Sequence, residues 1–276
     1  MTTLTLNDLD WLCTAVKHVS DEHIMPRFGQ LVDAQIRVKT SAFDIVTDAD
    51  EACEAALTAL LQNRFPSAVV IGEEAADRDP RLLDALASAE LAFLVDPLDG
   101  TRNFASGLPL FGVMVAAVVK DQVVAGVIHD PVSGTTALAR AGGGAWIQDR
   151  AGQRARLQVA APVPVAEIEG IAGTHFLAAP LKERVTANLS RLRMTNWFRC
   201  AAHEYRLASA GHCHILFYNR LMPWDHAAGW LLHREAGGYS AHFDGRPYVP
   251  SHTSGGLLYA PDQATWHAVH AALFSE

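Results

Sequence analysis

Apolar residues recur at helical spacing near the start of the chain and form short unbroken runs further on. The first periodic stretch predicts a helix that ends before Pro26, and the second predicts a helix over about 48–63. Between residues 64 and 130, apolar runs predict two buried strands and a hairpin, at 68–71, at 91–95 and at 111–119 paired with 123–128. The first half is therefore expected to combine amphipathic helices with a largely buried sheet.

In the second half, predicted strands alternate with predicted helices. The strands are expected at 168–172, 215–218 and 256–260, and the helices at 181–192, 201–210, 225–236 and 262–274. Hairpins first and strand–helix alternation later predict an α+β layer joined to an α/β layer. The stretch 150–164 is rich in polar residues, Ala and Pro, and is the predicted boundary between one subdomain over residues 1–150 and another over 151–276.

The charge of the chain is concentrated in one region. The formal net charge is −8, yet residues 41–100 alone hold 13 acidic residues against three basic ones. Such a cluster repels nucleic acid polymers and anionic lipid and attracts metal cations, although a solvated acidic surface would show the same count. The four cysteines are scattered without a CxxC pair, and no signal-peptide pattern is visible, so a reducing, cytoplasmic location is expected.

Carboxylates stand at the ends of predicted elements in three segments, 43–50, 71–74 and 96–104. In the third, a buried strand runs into Asp96, Pro97 prevents the next ladder hydrogen bond, and Asp99 follows within reach of the same cavity. Gly100 then allows the backbone to approach a ligand closely. Crowded carboxylates need a compensating cation, and oxygen ligands favour Mg²⁺ or Mn²⁺ over zinc. An ordinary Asx turn is the alternative interpretation.

Asp225 opens an Ala-rich predicted helix in the second half of the chain. Asp is favoured at a helix N-terminus for its own sake. The alternative is that Asp225 returns to the acidic cluster of the first half and completes a metal site.

Several motifs now stand in a fixed order along the chain. They are GEE at 72–74, DPLDGTRNF at 96–104, WDHAAG at 224–229 and EAGG at 235–238, with Asp44-x-Val46-Thr47-x-x-Asp50 upstream. With these motifs, from about residue 39 to 245, the sequence resembles the inositol monophosphatase family of Mg²⁺-dependent, lithium-sensitive phosphatases. The resemblance implies a layered α/β/α/β/α sandwich of the inositol monophosphatase and fructose-1,6-bisphosphatase type, a small-molecule phosphate ester as substrate, and a homodimer.

The resemblance also implies a role for each matching residue. Two to three Mg²⁺ ions are expected, with Mn²⁺ as a substitute. Glu73, Asp96 and the Leu98 carbonyl would hold the first, Asp96, Asp99 and Asp225 the second, and Glu73 would help to hold a third. Asp99, Gly100 and Thr101 would bind the phosphate. Asp50, Glu73 and Thr101 would be catalytic, with Asp50 and Thr101 forming a hydrogen-bonded pair near the attacking water.

The sequence departs from the inositol enzymes where these bind substrate. Tyr218 stands where they carry a Glu that binds inositol hydroxyls, and their G-T/S-A-A stretch reads Arg199-Cys200-Ala201-Ala202 here. Arg102 stands where many relatives have Thr and could meet a second anionic group. The candidate specificity residues are Arg199, Ala201, His203, Glu204, Tyr218 and Arg220.

The predicted function is therefore hydrolysis of a small phosphorylated polyol, sugar or amino alcohol by in-line attack of a metal-activated water. A 3′(2′),5′-bisphosphate nucleotidase or a histidinol phosphatase is the alternative within the same superfamily. A catalytically weak regulatory homologue is the alternative from a different class.

Overall fold

The fold is seen in a computed structural model that describes residues 4–31, 35–41 and 44–275. Phe43 and the side chain of Asp44, both in the first carboxylate segment, lie outside the described part. The helices of the described residues are α1 (Leu6–His23), α2 (Asp48–Arg64), α3 (Glu73–Arg78), α4 (Thr101–Ala105), α5 (Leu181–Asn188), α6 (Ala201–Ser209), α7 (Pro223–Glu235) and α8 (Gln263–Phe274).

The strands form two large sheets and a short ribbon. They are β1 (Ile36–Ser41), β2 (Asp44–Thr47), β3 (Val69–Gly72), β4 (Ala92–Asp99), β5 (Gly112–Val119), β6 (Gln122–Asp130), β7 (Thr135–Arg140), β8 (Gly144–Gln148), β9 (Arg154–Arg156), β10 (Glu169–Ala172), β11 (Met194–Asn196), β12 (Ile215–Tyr218), β13 (Tyr239–His242) and β14 (Leu257–Ala260). The larger sheet has the order β3-β4-β5-β6-β7-β8-β9 and the smaller the order β11-β10-β12-β14-β13, while β1 pairs with β2.

Alternating side chains of the larger sheet are buried on its two faces. Phe93 and Val95 of β4 pack with α1 and α2, whereas Leu94 packs toward α6 and α7. A strand that is buried on both faces has no polar alternation, which explains the unbroken apolar runs in the sequence. The far side of α6 and α7 meets the smaller sheet, whose other face is covered by α5 and α8. The predicted α/β/α/β/α layering is confirmed.

The predicted elements are found with small shifts at their ends. The hairpin forms between β5 and β6, whose register pairs Val119 with Gln122. Its two-residue turn, Lys120 and Asp121, has φ of 49° and 59°, the geometry of a type I′ turn. The pattern does not predict the β1–β2 ribbon, α3, α4 or the short edge strands. These segments lack the unbroken apolar runs that identify the equally short β3 and β12.

The described helices include none long and apolar enough to cross a lipid bilayer. Cys13, Cys53, Cys200 and Cys213 are all buried and unbridged. The division into residues 1–150 and 151–276 stays a prediction. β9 of the first sheet lies beyond residue 150, and α7 of the second half packs directly on the first sheet.

Candidate active site

Four carboxylates from distant parts of the chain line one cleft of about 560 Å³, and they are those of Glu73, Asp96, Asp99 and Asp225. β3 and β4 are parallel, and Gly72 pairs with Val95. Glu73 and Asp96, the residues that follow this pair, therefore lie side by side at the same edge of the sheet. α7 begins at this edge and carries Asp225 in its first turn. The fold therefore brings the second half's carboxylate to the acidic segments of the first half.

The end of β4 departs from regular pairing at the cleft. Its register with β5 shifts between Asp96 and Asp99, and Leu98 N donates to Asp96 Oδ1 at 3.1 Å. Gly100 follows with φ of 85°, and a Cβ there would lie 2.8 Å from the Leu110 carbonyl oxygen. Only glycine fits both the left-handed backbone and the close approach. The loop can therefore turn sharply and place Thr101 at the cleft.

Asp99 is held by the beginning of α6. The Cys200 thiol donates to Asp99 Oδ2 at 3.0 Å, and Ala202 N donates to the same oxygen at 2.6 Å. Burial raises the pKa of Asp99, and these donors oppose the increase. The start of α6 therefore fixes the orientation of a candidate metal ligand and favours its charged form.

Asp50 and Thr101 are joined by a hydrogen bond. Thr101 Oγ1 lies 2.9 Å from Asp50 Oδ1 and 2.9 Å from the Leu98 carbonyl oxygen, so both acceptors compete for its one proton. The other Asp50 oxygen accepts from Thr47 N at 2.8 Å in the capping box of α2. Asp50 lies behind Thr101 and does not line the cleft itself. The Thr101 oxygen thus keeps its lone pairs available to accept a hydrogen bond.

Glu73 is positioned by a carboxylate that the sequence did not single out. Glu54 Oε2 accepts from Glu74 N at 2.7 Å, and Glu54 Oε1 accepts from Ala75 N at 2.9 Å, which caps the first turn of α3. Gly72 leaves the room for this, because a Cβ there would lie 2.3 Å from the Glu54 carboxyl carbon. The GEE motif therefore needs its glycine for this cap.

Lys39 is a second residue that the sequence did not single out. Its Nζ lies 3.0 Å from Glu73, 2.7 Å from Glu74 and 2.7 Å from Asp77, and the side chain is only 10% exposed. Burial by itself lowers the pKa of Lys39, but these three carboxylates outweigh it and raise the pKa above its ordinary value. The signal in the sequence is the position of Lys39, a basic residue just before the acidic stretch 41–100.

Crowding of like charges perturbs the whole cluster. Burial and the neighbouring carboxylates raise the pKa values of Asp96 and Asp225 well above their ordinary range and that of Glu73 to about 7. A side-chain hydrogen bond with Asp96 acts in the opposite direction on the pKa of Asp225 but does not outweigh burial and the neighbouring charges. A bound cation would stabilise the charged forms of these carboxylates and so oppose the increase in their pKa values.

The donor set fits a hard divalent cation, although it is not arranged as a closed cage. Carboxylates and a backbone carbonyl are the oxygen ligands that Mg²⁺ and Mn²⁺ accept. Across residues 4–31, 35–41 and 44–275, no three His, Cys, Asp or Glu side chains stand together at metal-binding spacing. Because the carboxylates now bond to each other and to Lys39, binding of a cation would exchange these contacts for metal contacts.

Five of the six candidate specificity residues also line the cleft. Tyr218 donates to Glu204 Oε2 at 2.9 Å, and Phe198 N donates to Glu204 Oε1 at 3.0 Å. Burial raises the pKa of Glu204 to about 7, against the effect of these two donors. The Tyr218 hydroxyl is thus committed to Glu204 at the position where the inositol enzymes carry a carboxylate.

The remaining candidates divide between the cleft and another face of α6. Arg199, Ala201 and Arg220 line the cleft. His203 does not, because its ring Nε2 lies 3.1 Å from the Phe111 carbonyl oxygen on the side of α6 that faces the larger sheet. Two aromatic residues at the cleft, His175 and Trp197, stack with centroids 3.8 Å apart and were not predicted.

Comparisons with known proteins agree over nearly the whole chain. The profile of the inositol monophosphatase family matches residues 9–276. The Nus factor SuhB of Haemophilus influenzae is 32% identical over 231 residues, 80% of this chain and 79% of the relative. The inositol-1-monophosphatase of Mesorhizobium japonicum is 32% identical over 227 residues, 79% of each chain. The solved structure of the extragenic suppressor protein suhB from Bartonella henselae is 25% identical and superposes with a TM-score of 0.82 over 96% of this chain and 98% of that one.

Proposed function

The chain belongs to the inositol monophosphatase family, and from this premise we propose that it is a Mg²⁺-dependent phosphomonoesterase. The observation that carries the proposal is the convergence of Glu73, Asp96, Asp99 and Asp225 with Thr101 in one cleft. Its substrate is a small phosphorylated polyol, sugar or amino alcohol.

The resemblance to the family supports the assignment of the metal ligands. Glu73, Asp96 and the Leu98 carbonyl would hold one Mg²⁺, Asp96, Asp99 and Asp225 would hold a second, and Glu73 would contribute to a third, with Mn²⁺ as a substitute. Bound Mg²⁺ would supply a water of lowered pKa and stabilise the charge of the phosphoryl group and the leaving oxygen.

The chain's own groups orient the reactants. Gly100 and Thr101 present backbone amides to the phosphate oxygens at the start of α4. The Thr101 hydroxyl accepts a hydrogen bond from the attacking water and fixes its direction. When Oγ1 takes the proton of the water, it passes its own proton to Asp50 Oδ1. The buried Asp50 carboxylate holds that hydroxyl in place through its second bond to Thr47.

The test is phosphate release from a panel of small phosphomonoesters and from p-nitrophenyl phosphate, with and without Mg²⁺. The panel includes inositol 1-phosphate, a 3′(2′),5′-bisphosphate nucleotide and histidinol phosphate. Asp99→Asn should abolish turnover, whereas the exposed control Asp84→Asn should leave it unchanged. No release from any ester, or equal activity of the Asp99→Asn variant, contradicts the proposal.

A second candidate, from a different class, is a catalytically weak regulatory homologue. It is favoured by a relative at 32% identity that is named a Nus factor, a name that describes that protein. The same turnover measurement separates the two, since a regulatory homologue would show no Mg²⁺-dependent hydrolysis that Asp99→Asn removes.

A homodimer and a cytoplasmic location complete the proposal. The resemblance to the family supports the dimer, and the four unbridged cysteines support a reducing compartment. Light scattering of the purified protein at micromolar concentration tests the dimer, which a mass near 29.8 kDa would contradict.

A further inference from the structure

The cleft is lined by an arginine, Arg199, whose charge no group in the described part of the chain satisfies. Within the described part of the chain, the Arg199 guanidinium has no hydrogen bond or ion pair, and it lines the cleft. Arg220, in contrast, stacks on Phe176 at 5.6 Å and acts electrostatically on Asp225.

Arg199 also stands in a backbone conformation that suits glycine. Its φ is 57°, in the left-handed region that side chains with a Cβ adopt only at a cost. Lys120 and Asp121, the other non-glycine residues with positive φ in the described chain, are explained by their hairpin turn. Arg199 lies in no such turn, since it comes directly before the N-cap residue of α6. Strain of this kind at a ligand cleft suggests that the side chain has a use there.

Glu204, the acidic residue among the candidate specificity residues, is buried and already engaged within the protein. Both Glu204 oxygens already accept hydrogen bonds, from Phe198 N and from the Tyr218 hydroxyl. The cleft therefore offers a substrate an uncommitted cation in place of the carboxylate that inositol enzymes use.

We propose that Arg199 binds a second anionic group of the substrate, so that the preferred substrates are phosphomonoesters that carry a carboxylate or a second phosphate. The inference rests on the proposed function, because the first phosphate must lie at the carboxylate cluster. A guanidinium suits this task because it forms two parallel hydrogen bonds to a carboxylate or phosphate.

The test measures binding without turnover. Alkyl phosphonates and ω-carboxyalkyl phosphonates of matched length, with two to six methylene groups, are titrated calorimetrically into the full chain with Mg²⁺. We expect the carboxylate to tighten binding at least tenfold at the best spacer length, which corresponds to about 1.4 kcal/mol. Equal dissociation constants at every length would overturn the proposal.

Variants locate the effect at Arg199. Arg199→Ala should remove the preference and leave the simple phosphonates within twofold of the wild type, while Arg199→Lys should retain part of it. The control Arg193→Ala removes an exposed arginine outside the cleft and should behave as the wild type. A loss by Arg199→Ala that is equal for both ligand series would overturn the proposal.

Stability separates recognition from a structural role. Arg199→Gly relieves the left-handed backbone, so its melting temperature should not fall even though the preference for the carboxylate is lost. A lower melting temperature together with equal weakening of both ligands would assign Arg199 to the structure of the loop instead.

Turnover of p-nitrophenyl phosphate with Mg²⁺ separates a failure of the role proposed for Arg199 from a failure of the proposed function. Hydrolysis without any preference for the second anion overturns the role of Arg199 and leaves the proposed function standing. Absence of hydrolysis contradicts the proposed function, while the phosphonate titrations still decide whether Arg199 binds an anion.

Discussion

Replacing Gly229 by alanine should destabilise the protein, although helix propensity predicts the opposite. Gly229 lies inside α7, where alanine is favoured over glycine by about 1 kcal/mol. In the structure, however, a Cβ at Gly229 would lie 2.1 Å from Cγ and Cδ2 of Tyr205 on α6. The missing side chain is what allows the two helices to pack closely.

The Tyr205 ring has no direction in which to move. It is fully buried, and its hydroxyl bonds to His226 Nδ1 at 2.9 Å and to the Tyr259 hydroxyl at 2.7 Å. Overpacking of a core costs about 1 to 3 kcal/mol, and an overlap of more than 1 Å against the root of a fixed ring belongs at the upper end. After the gain in helix propensity, Gly229→Ala should lower the free energy of unfolding by about 2 kcal/mol.

The assay is thermal and denaturant unfolding of the wild type and the variant at the same protein concentration. A loss of 2 kcal/mol corresponds to a fall of roughly 4 to 8 °C in melting temperature. A double-mutant cycle with Tyr205→Leu supplies the control, because the smaller side chain should remove most of the effect of Gly229→Ala. A variant as stable as the wild type, or equal effects in both backgrounds, would refute the reasoning.

Three further predictions concern the active site and the core. Thr101→Ala should lower kcat by about a hundredfold or more with little change in KM, while Thr101→Ser stays within tenfold, because only the hydroxyl bonds to Asp50; equal losses would contradict this role. Cys200→Ala should raise the Mg²⁺ concentration for half-maximal activity about tenfold, since it removes the thiol donor to Asp99; an unchanged Mg²⁺ titration would exclude it. Burial lowers the pKa of His233 to about 3, below its unfolded value near 6.5, so its contribution to stability is present above pH 6.5 and is lost as the pH falls toward 3. His233→Met should reduce the slope of unfolding free energy against pH in that window by about 1.4 kcal/mol per pH unit, and unfolding titrations with an unchanged slope would contradict it.

The sequence pattern predicted the elements that carry the site, but it did not predict which residues these elements bring into contact. Asp96 and Asp99 follow an apolar run, and Asp225 opens a helix, so the pattern places each carboxylate at the end of an element. Each of these element ends is a local pattern, so it can be predicted from the sequence. Parallel pairing of β3 and β4 then brings Glu73 next to Asp96, a contact that the separate apolar runs did not predict.

His203 is the candidate specificity residue that lies away from the cleft. It is adjacent to Glu204 in sequence, but successive residues on a helix point about 100° apart, as 3.6 residues make one turn. Ala201 and Glu204 are three residues apart and share the cleft side of α6, whereas His203 faces the larger sheet. Helix periodicity alone would have separated it from the other candidates.

The sequence by itself determined the family, because its motifs each span only a few residues. The layered fold and the candidate carboxylates were predicted through the resemblance that these motifs carry. Only the tertiary structure decided which groups hold the carboxylates and which remain uncommitted. Lys39 meets Glu73 across 34 residues, and Cys200 meets Asp99 across 101. The left-handed backbone of Arg199 likewise follows from how the chain enters α6. Such contacts depend on how layers pack at angles and distances that no short stretch of sequence encodes.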